Sequence, residues 1–67
     1  MRITVNGEPR ELPSETSVAG LLESLGIKDS RVAVEVNLEV VRRDDRSSRA
    51  IVDGDRIEIV SFVGGGV

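Results

Sequence analysis

Sixty-seven residues are enough for one small domain, and the chain has no Cys and no His, so disulfides, thiolate nucleophiles and the commonest zinc ligands and neutral-pH general base are excluded. Thirty-nine per cent of the residues are hydrophobic but only one, Phe62, is aromatic, which predicts an aliphatic core and no base-stacking platform for single-stranded nucleic acid. A net charge of −3 is the wrong sign for a phosphate backbone, and the apolar runs are too short to span a bilayer, so neither a nucleic acid nor a membrane is expected as partner. A basic protein partner fits better. The N-terminus lacks the layout of a signal peptide, which predicts a cytoplasmic location. A domain of this size buries only about 60% of the surface its unfolded chain exposes, leaving no room for a deep substrate cavity, so function is expected on the surface or at a terminus.

In chain order, Arg2-Ile3-Thr4-Val5 alternates at period two and runs into Asn6-Gly7, the pair best suited to a tight hairpin turn. Arg10-Glu11-Leu12 is the expected return strand, ended by Pro13. Val18, Leu21, Leu22 and Leu25 form a one-sided stripe at helical spacing, with Ser17 placed as N-cap and Gly26 as the residue that closes the helix. Gly20 costs that helix about 1 kcal/mol relative to Ala, which points to close packing against a strand. Val32, Val34 and Val36 then alternate with Ala33 and Glu35, Asn37-Leu38 reads as a second tight turn, and Val40-Val41 as a short return.

Arg42 to Arg49 is a mixed-charge stretch without period, expected to be a solvated loop containing a helical turn. Asp53-Gly54-Asp55 launches the final strand, Arg56 to Phe62, and its two aspartates read as turn residues rather than metal ligands. Ser47 and Ser48 have no base to activate them, so no catalytic residue and no metal site are expected.

Hairpin, helix, strand pair and final strand give an α+β order in which one main helix lies across a mixed sheet of four to five strands, with the first and last strands adjacent at its centre. That layout is the β-grasp, or ubiquitin-like, architecture. The pattern predicts a domain over residues 1–62 and a flexible glycine-rich tail over residues 63–67. The predicted core is Ile3, Val5, Leu21, Leu22, Leu25, Val32, Val34, Val36, Ile57 and Ile59. The same parity turns Glu58, Val60 and Phe62 outward. Val60 and Phe62, near Ala33 and Thr4 and followed by Val63, read either as a docking patch or as a surface covered by a loop or a second copy. Gly64-Gly65-Gly66 reads either as a frayed terminus or as a slender segment able to carry a carboxyl group down a narrow channel into a buried nucleotide site.

Met1 to Gly7, Val18 to Leu25, Val32 to Asn37, and Asp53-Gly54-Asp55-Arg56-Ile57-Glu58-Ile59-Val60 leading to Val63-Gly64-Gly65-Gly66 together resemble the ThiS family of sulfur carriers in thiamine biosynthesis. The resemblance spans essentially the whole chain. It implies a protein substrate rather than an enzyme. The glycine carboxylate at the end of Gly64, Gly65 and Gly66 would be adenylated by a ThiF-type adenylyltransferase and converted to a thiocarboxylate, and its sulfur would pass to a ThiG-type thiazole synthase. It also implies that the chain binds no cofactor, ATP being used by the activating partner. Val67 departs from the family's Gly-Gly ending, so either a peptidase removes it or it is an appended residue. A MoaD-like carrier for molybdopterin, a carrier for cysteine or transfer-RNA thiolation, a ubiquitin-like modifier and a binding domain with an inert tail are the alternatives. The tail lacks the Pro-Pro-Val-Ala-Gly-Gly look expected of MoaD.

Overall fold

The computed structural model describes residues 1–62, so the tail boundary and the expectations placed on Val63, Gly64, Gly65, Gly66 and Val67 lie outside the described residues. The elements in chain order are β1 (Arg2–Val5), β2 (Glu8–Glu11), β3 (Thr16–Ser17), α1 (Val18–Ser24), β4 (Val32–Val36), β5 (Glu39–Val40), β6 (Ala50–Ile51) and β7 (Arg56–Ser61). Five strands form one sheet in the order β2-β1-β7-β4-β5, and β3 pairs with β6 in a separate two-stranded ladder. β1 and β7 run parallel at the sheet centre and the other pairs are antiparallel, which is the β-grasp arrangement.

Two tight turns set the register. Asn6 and Gly7 take φ of +52° and +84°, as a hairpin of this kind needs, and Asn37 and Leu38 take +53° and +73°. The helix starts where Ser17 Oγ accepts from the Gly20 N–H at 3.1 Å. It ends at Gly26, where the Gly26 N–H donates to the Glu23 carbonyl and the Ile27 N–H to the Leu22 carbonyl, the two bonds of a Schellman motif. The close approach expected at Gly20 is to Thr16 in β3: a Cβ at residue 20 would lie 2.2 Å from Thr16 Oγ1.

The core comprises Ile3, Val5, Val18, Leu21, Leu22, Val32, Val34, Val36, Val41, Ile51 and Ile57. Leu25 and Ile59 pack against it without full burial. Both border an open cleft of about 370 Å³ with Val5, Asn6, Ile27 and Ser61, in the space left where β1 and α1 have already ended.

The largest correction concerns the stretch from Arg42 to Arg49. It does contain a helical turn, at Arg43–Asp45, but Arg46 is only 5% exposed and is not a solvated surface residue. The Arg46 and Arg49 carbonyls accept from the Ala19 and Val18 N–H groups, filling the donors that a helix start leaves open. That docking draws the segment inward. No helix among the described residues is long and apolar enough to cross a membrane.

Candidate functional site

β7 leads in sequence to the glycines, so its far end is where the described structure meets the candidate reacting segment. Val60 and Phe62 are 59% and 60% exposed, as parity predicts. Val60 lies opposite Ala33 in the β4–β7 ladder, and both stand on the sheet face turned away from α1. Val40, 68% exposed and opposite Glu35, shares that face and enlarges its apolar area. Sequence reading placed Val40 in a strand without assigning it to the patch, since a two-residue strand carries no alternation to orient it. Glu35 and Glu58 lie directly opposite each other on that face, in the same cross-strand row as Val40 and beside the Ala33–Val60 pair.

The last described bond of the strand runs from the Phe62 N–H to the Arg31 carbonyl, at 2.9 Å. The turn presenting that carbonyl is held from beneath. One guanidinium nitrogen of Arg46 donates to the Asp29 carbonyl at 2.6 Å and another to the Val32 carbonyl at 2.8 Å, on either side of Arg31. A charged donor to a buried carbonyl makes a stronger bond than a neutral one, and the fork of the guanidinium lets one side chain fix both acceptors.

Across the strand, Asn6 binds the main chain of Ile59. Its Oδ1 accepts from the Ile59 N–H at 2.7 Å and its Nδ2 donates to the Ile59 carbonyl at 3.2 Å. At the other end of β7, Asn37 Oδ1 accepts from the Arg56 N–H at 2.9 Å, and its Nδ2 donates to Asp55 Oδ1 at 3.0 Å. Asp55 is buried, also accepts from the Val52 N–H at 2.9 Å, and lies 3.9 Å from Arg49. Asp53 Oδ1 accepts from the Arg2 N–H at 2.7 Å, so both aspartates of the turn brace the strand start.

The described residues thus present a central strand hydrogen-bonded along both sides, with exposed apolar side chains at its far end and no nucleophile-and-base pair. Val60 and Phe62 come together as expected. Arg46 and the second role of Asn6 were not anticipated.

The ThiS family model matches residues 3–66. The sulfur carrier protein ThiS of Thermus thermophilus is 36% identical over 64 residues, covering 96% of this chain and 98% of that one. The thiazole synthase of Paramagnetospirillum magneticum is 44% identical over 66 residues, 98% of this chain but 20% of that protein, and the thiazole synthase of Magnetococcus marinus matches in the same proportion at 42%. The chain therefore spans a fifth of the length of these thiazole synthases. The crystal structure of the thiamine biosynthesis protein ThiS from Geobacter metallireducens superposes with a TM-score of 0.86 at 36% identity, over 98% of this chain and all of that one. With a β-grasp sheet, a matching solved structure and a family match across nearly its whole length, this chain belongs to the ThiS family.

Proposed function

We propose that this chain is a sulfur carrier for thiazole formation in thiamine biosynthesis, a reagent with no catalytic activity of its own. A carboxylate is a poor electrophile because its negative charge is shared by two oxygens. Attack of one glycine carboxylate oxygen on the α-phosphorus of ATP, in a ThiF-type adenylyltransferase, releases pyrophosphate and gives an acyl-adenylate. Hydrosulfide, delivered by the sulfur donor, then adds to the acyl carbon, AMP departs with that oxygen, and loss of the remaining S–H proton leaves a thiocarboxylate. The reacting carboxylate is assigned to Gly66, with Gly64 and Gly65 threading the channel, and removal of Val67 by a peptidase precedes activation. The thiocarboxylate sulfur passes to a ThiG-type thiazole synthase.

The observation that carries this reading is the end of β7: a central strand fixed through Phe62, bearing exposed Val60 and Phe62, which the sequence continues directly into Val63 and three glycines. Similarity to part of two thiazole synthases supports that enzyme as the sulfur acceptor.

The test uses two forms of the chain, one ending at Gly66 and one at Val67, each incubated with ATP, the activating enzyme and a sulfur donor. Intact-mass measurement is expected to find the oxygen-to-sulfur increase on the Gly66 form alone. An unchanged mass for both overturns the carrier reading, and equal conversion of both removes the trimming step. In a separate calorimetric titration, Phe62→Ala is expected to raise the Kd for the activating enzyme about tenfold, the equivalent of about 1.4 kcal/mol. Unchanged affinity would take Phe62 out of the interface.

A further inference from the structure

The side of β7 that faces β1 is held in two different ways along its length. Up to Ile57 it is paired with a strand, the last main-chain bond there running from the Asn6 N–H to the Ile57 carbonyl at 2.8 Å. Beyond that point β1 has turned away at Asn6-Gly7, and the alternation of a strand aims the N–H and C=O of Ile59 toward the vacated side. What borders that side is the open cleft of about 370 Å³, not another strand. A carboxamide carries the same donor and acceptor as a peptide unit, and the Asn6 side chain uses both on Ile59, standing in for the next residue of the missing strand.

We infer that Asn6 is a positioning residue for partner docking: by holding Ile59 in register it keeps Val60 and Phe62 presented, and the outlet of the glycine segment fixed, before a partner arrives. The inference rests on the sulfur-carrier reading. Its physical basis is preorganisation. When the docking-competent form of a surface is only fractionally populated, apparent affinity falls by that fraction, whereas the complex, once formed, holds the same geometry. Loss of the clamp therefore weakens association and leaves the chemistry of the bound state alone. The turn and the clamp are separable at this residue. Asn6→Gly accepts φ of +52° without strain and deletes the clamp, and Asn6→Asp keeps the acceptor for the Ile59 N–H but loses the donor to the Ile59 carbonyl.

The experiment measures amide hydrogen exchange in the free protein, then calorimetric Kd and saturated pyrophosphate release with the activating enzyme, on the chain ending at Gly66. Asn6→Gly is expected to lose protection selectively at Ile59 and Phe62 and to raise Kd about tenfold, the equivalent of about 1.4 kcal/mol, with kcat unchanged. Asn6→Asp is expected between it and the parent. An unchanged Kd overturns the inference, as does a loss of protection at Ile59 and Phe62 no greater than that across the rest of β4 and β7, which would make Asn6 a general fold residue. Failure of the sulfur-carrier reading is distinguished at the start, because the unsubstituted chain would then not be adenylated, while the exchange comparison still reports whether the clamp exists.

Discussion

The two ends of β7 use the same device in different surroundings. At the start, Asn37 leaves its tight turn to bind the Arg56 N–H, and its other amide atom reaches the buried Asp55, so the hook sits inside a network that includes Val52 and Arg49. At the far end, Asn6 hooks Ile59 across an exposed edge with open space beside it, and among the described residues the strand is otherwise held from the β4 side. Asn37 is itself exposed, but one of its two partners, Asp55, is buried, whereas both bonds of Asn6 lie at an exposed edge. Equivalent hydrogen bonds are expected to differ in their consequences, because an unpartnered group costs more in the interior than where water can replace the lost partner.

Breaking the hook at the start of β7 has the largest expected effect. Asn37→Ala removes two hydrogen bonds, deprives Asp55 of a donor and places a Cβ-bearing residue without a local side-chain bond at φ of +53°, at a combined cost of about 3 kcal/mol. Thermal unfolding should register a Tm lower by more than about 12 °C. Asn37→Gly keeps the turn relaxed and should recover about 1 kcal/mol of that, which separates strain from hydrogen bonding.

Arg46→Met comes next, at about 2 kcal/mol, because the Asp29 and Val32 carbonyls lose a charged donor while a side chain of similar length refills the space. Part of the loss is offset, since the buried Arg46 Nε has no partner in the folded protein and its desolvation no longer counts. Denaturant titration measures the total. Hydrogen exchange at Phe62 tests the route through the Arg31 carbonyl, and unchanged protection there would confine Arg46 to supporting the loop. Asn6→Gly should cost about 1 kcal/mol globally, since its two bonds lie at an exposed edge. If Asn6→Gly lowered Tm as far as Asn37→Ala, the contrast between the two ends would collapse.

The parts of this structure that could be read from the sequence are those governed by local periodicity. Alternation over Arg2–Val5, Val32–Val36 and Arg56–Ser61, the helical stripe from Val18 to Leu25, and the Asn-Gly turn each express a rule spanning a few neighbouring residues. The outward facing of Val60 and Phe62 follows from the same period. The β3–β6 ladder was not legible because two residues per strand have no period, and with it went the burial of Ile51. Arg46 was misread for a different reason. In sequence it is one of several arginines among aspartates, and what buries it is the tertiary pairing of loop carbonyls with the open N–H groups of α1. Asn6 hid in plain view: turn chemistry already accounts for an asparagine before Gly7, leaving no residual signal for its contact with Ile59, more than fifty residues away.

The smallest expected effect has the opposite sign. Leu38 follows Asn37 in its turn as Gly7 follows Asn6, yet it holds φ of +73° with a branched side chain that is 76% exposed. A non-glycine residue in the left-handed region costs about 1–2 kcal/mol, and glycine returns about 0.5–1 kcal/mol of that through the greater entropy of its unfolded state. Leu38→Gly should therefore stabilise the protein by about 0.5 kcal/mol, raising Tm by a few degrees, because almost no burial is lost. A retained strain of this kind makes sense where the side chain does work on the surface. Leu38 adjoins β5, which carries Val40, and a glycine variant that melts higher yet binds the activating enzyme less tightly would extend the docking face to the far edge of the sheet. A variant that gains stability with unchanged affinity would confine that face to β4, β5 and β7.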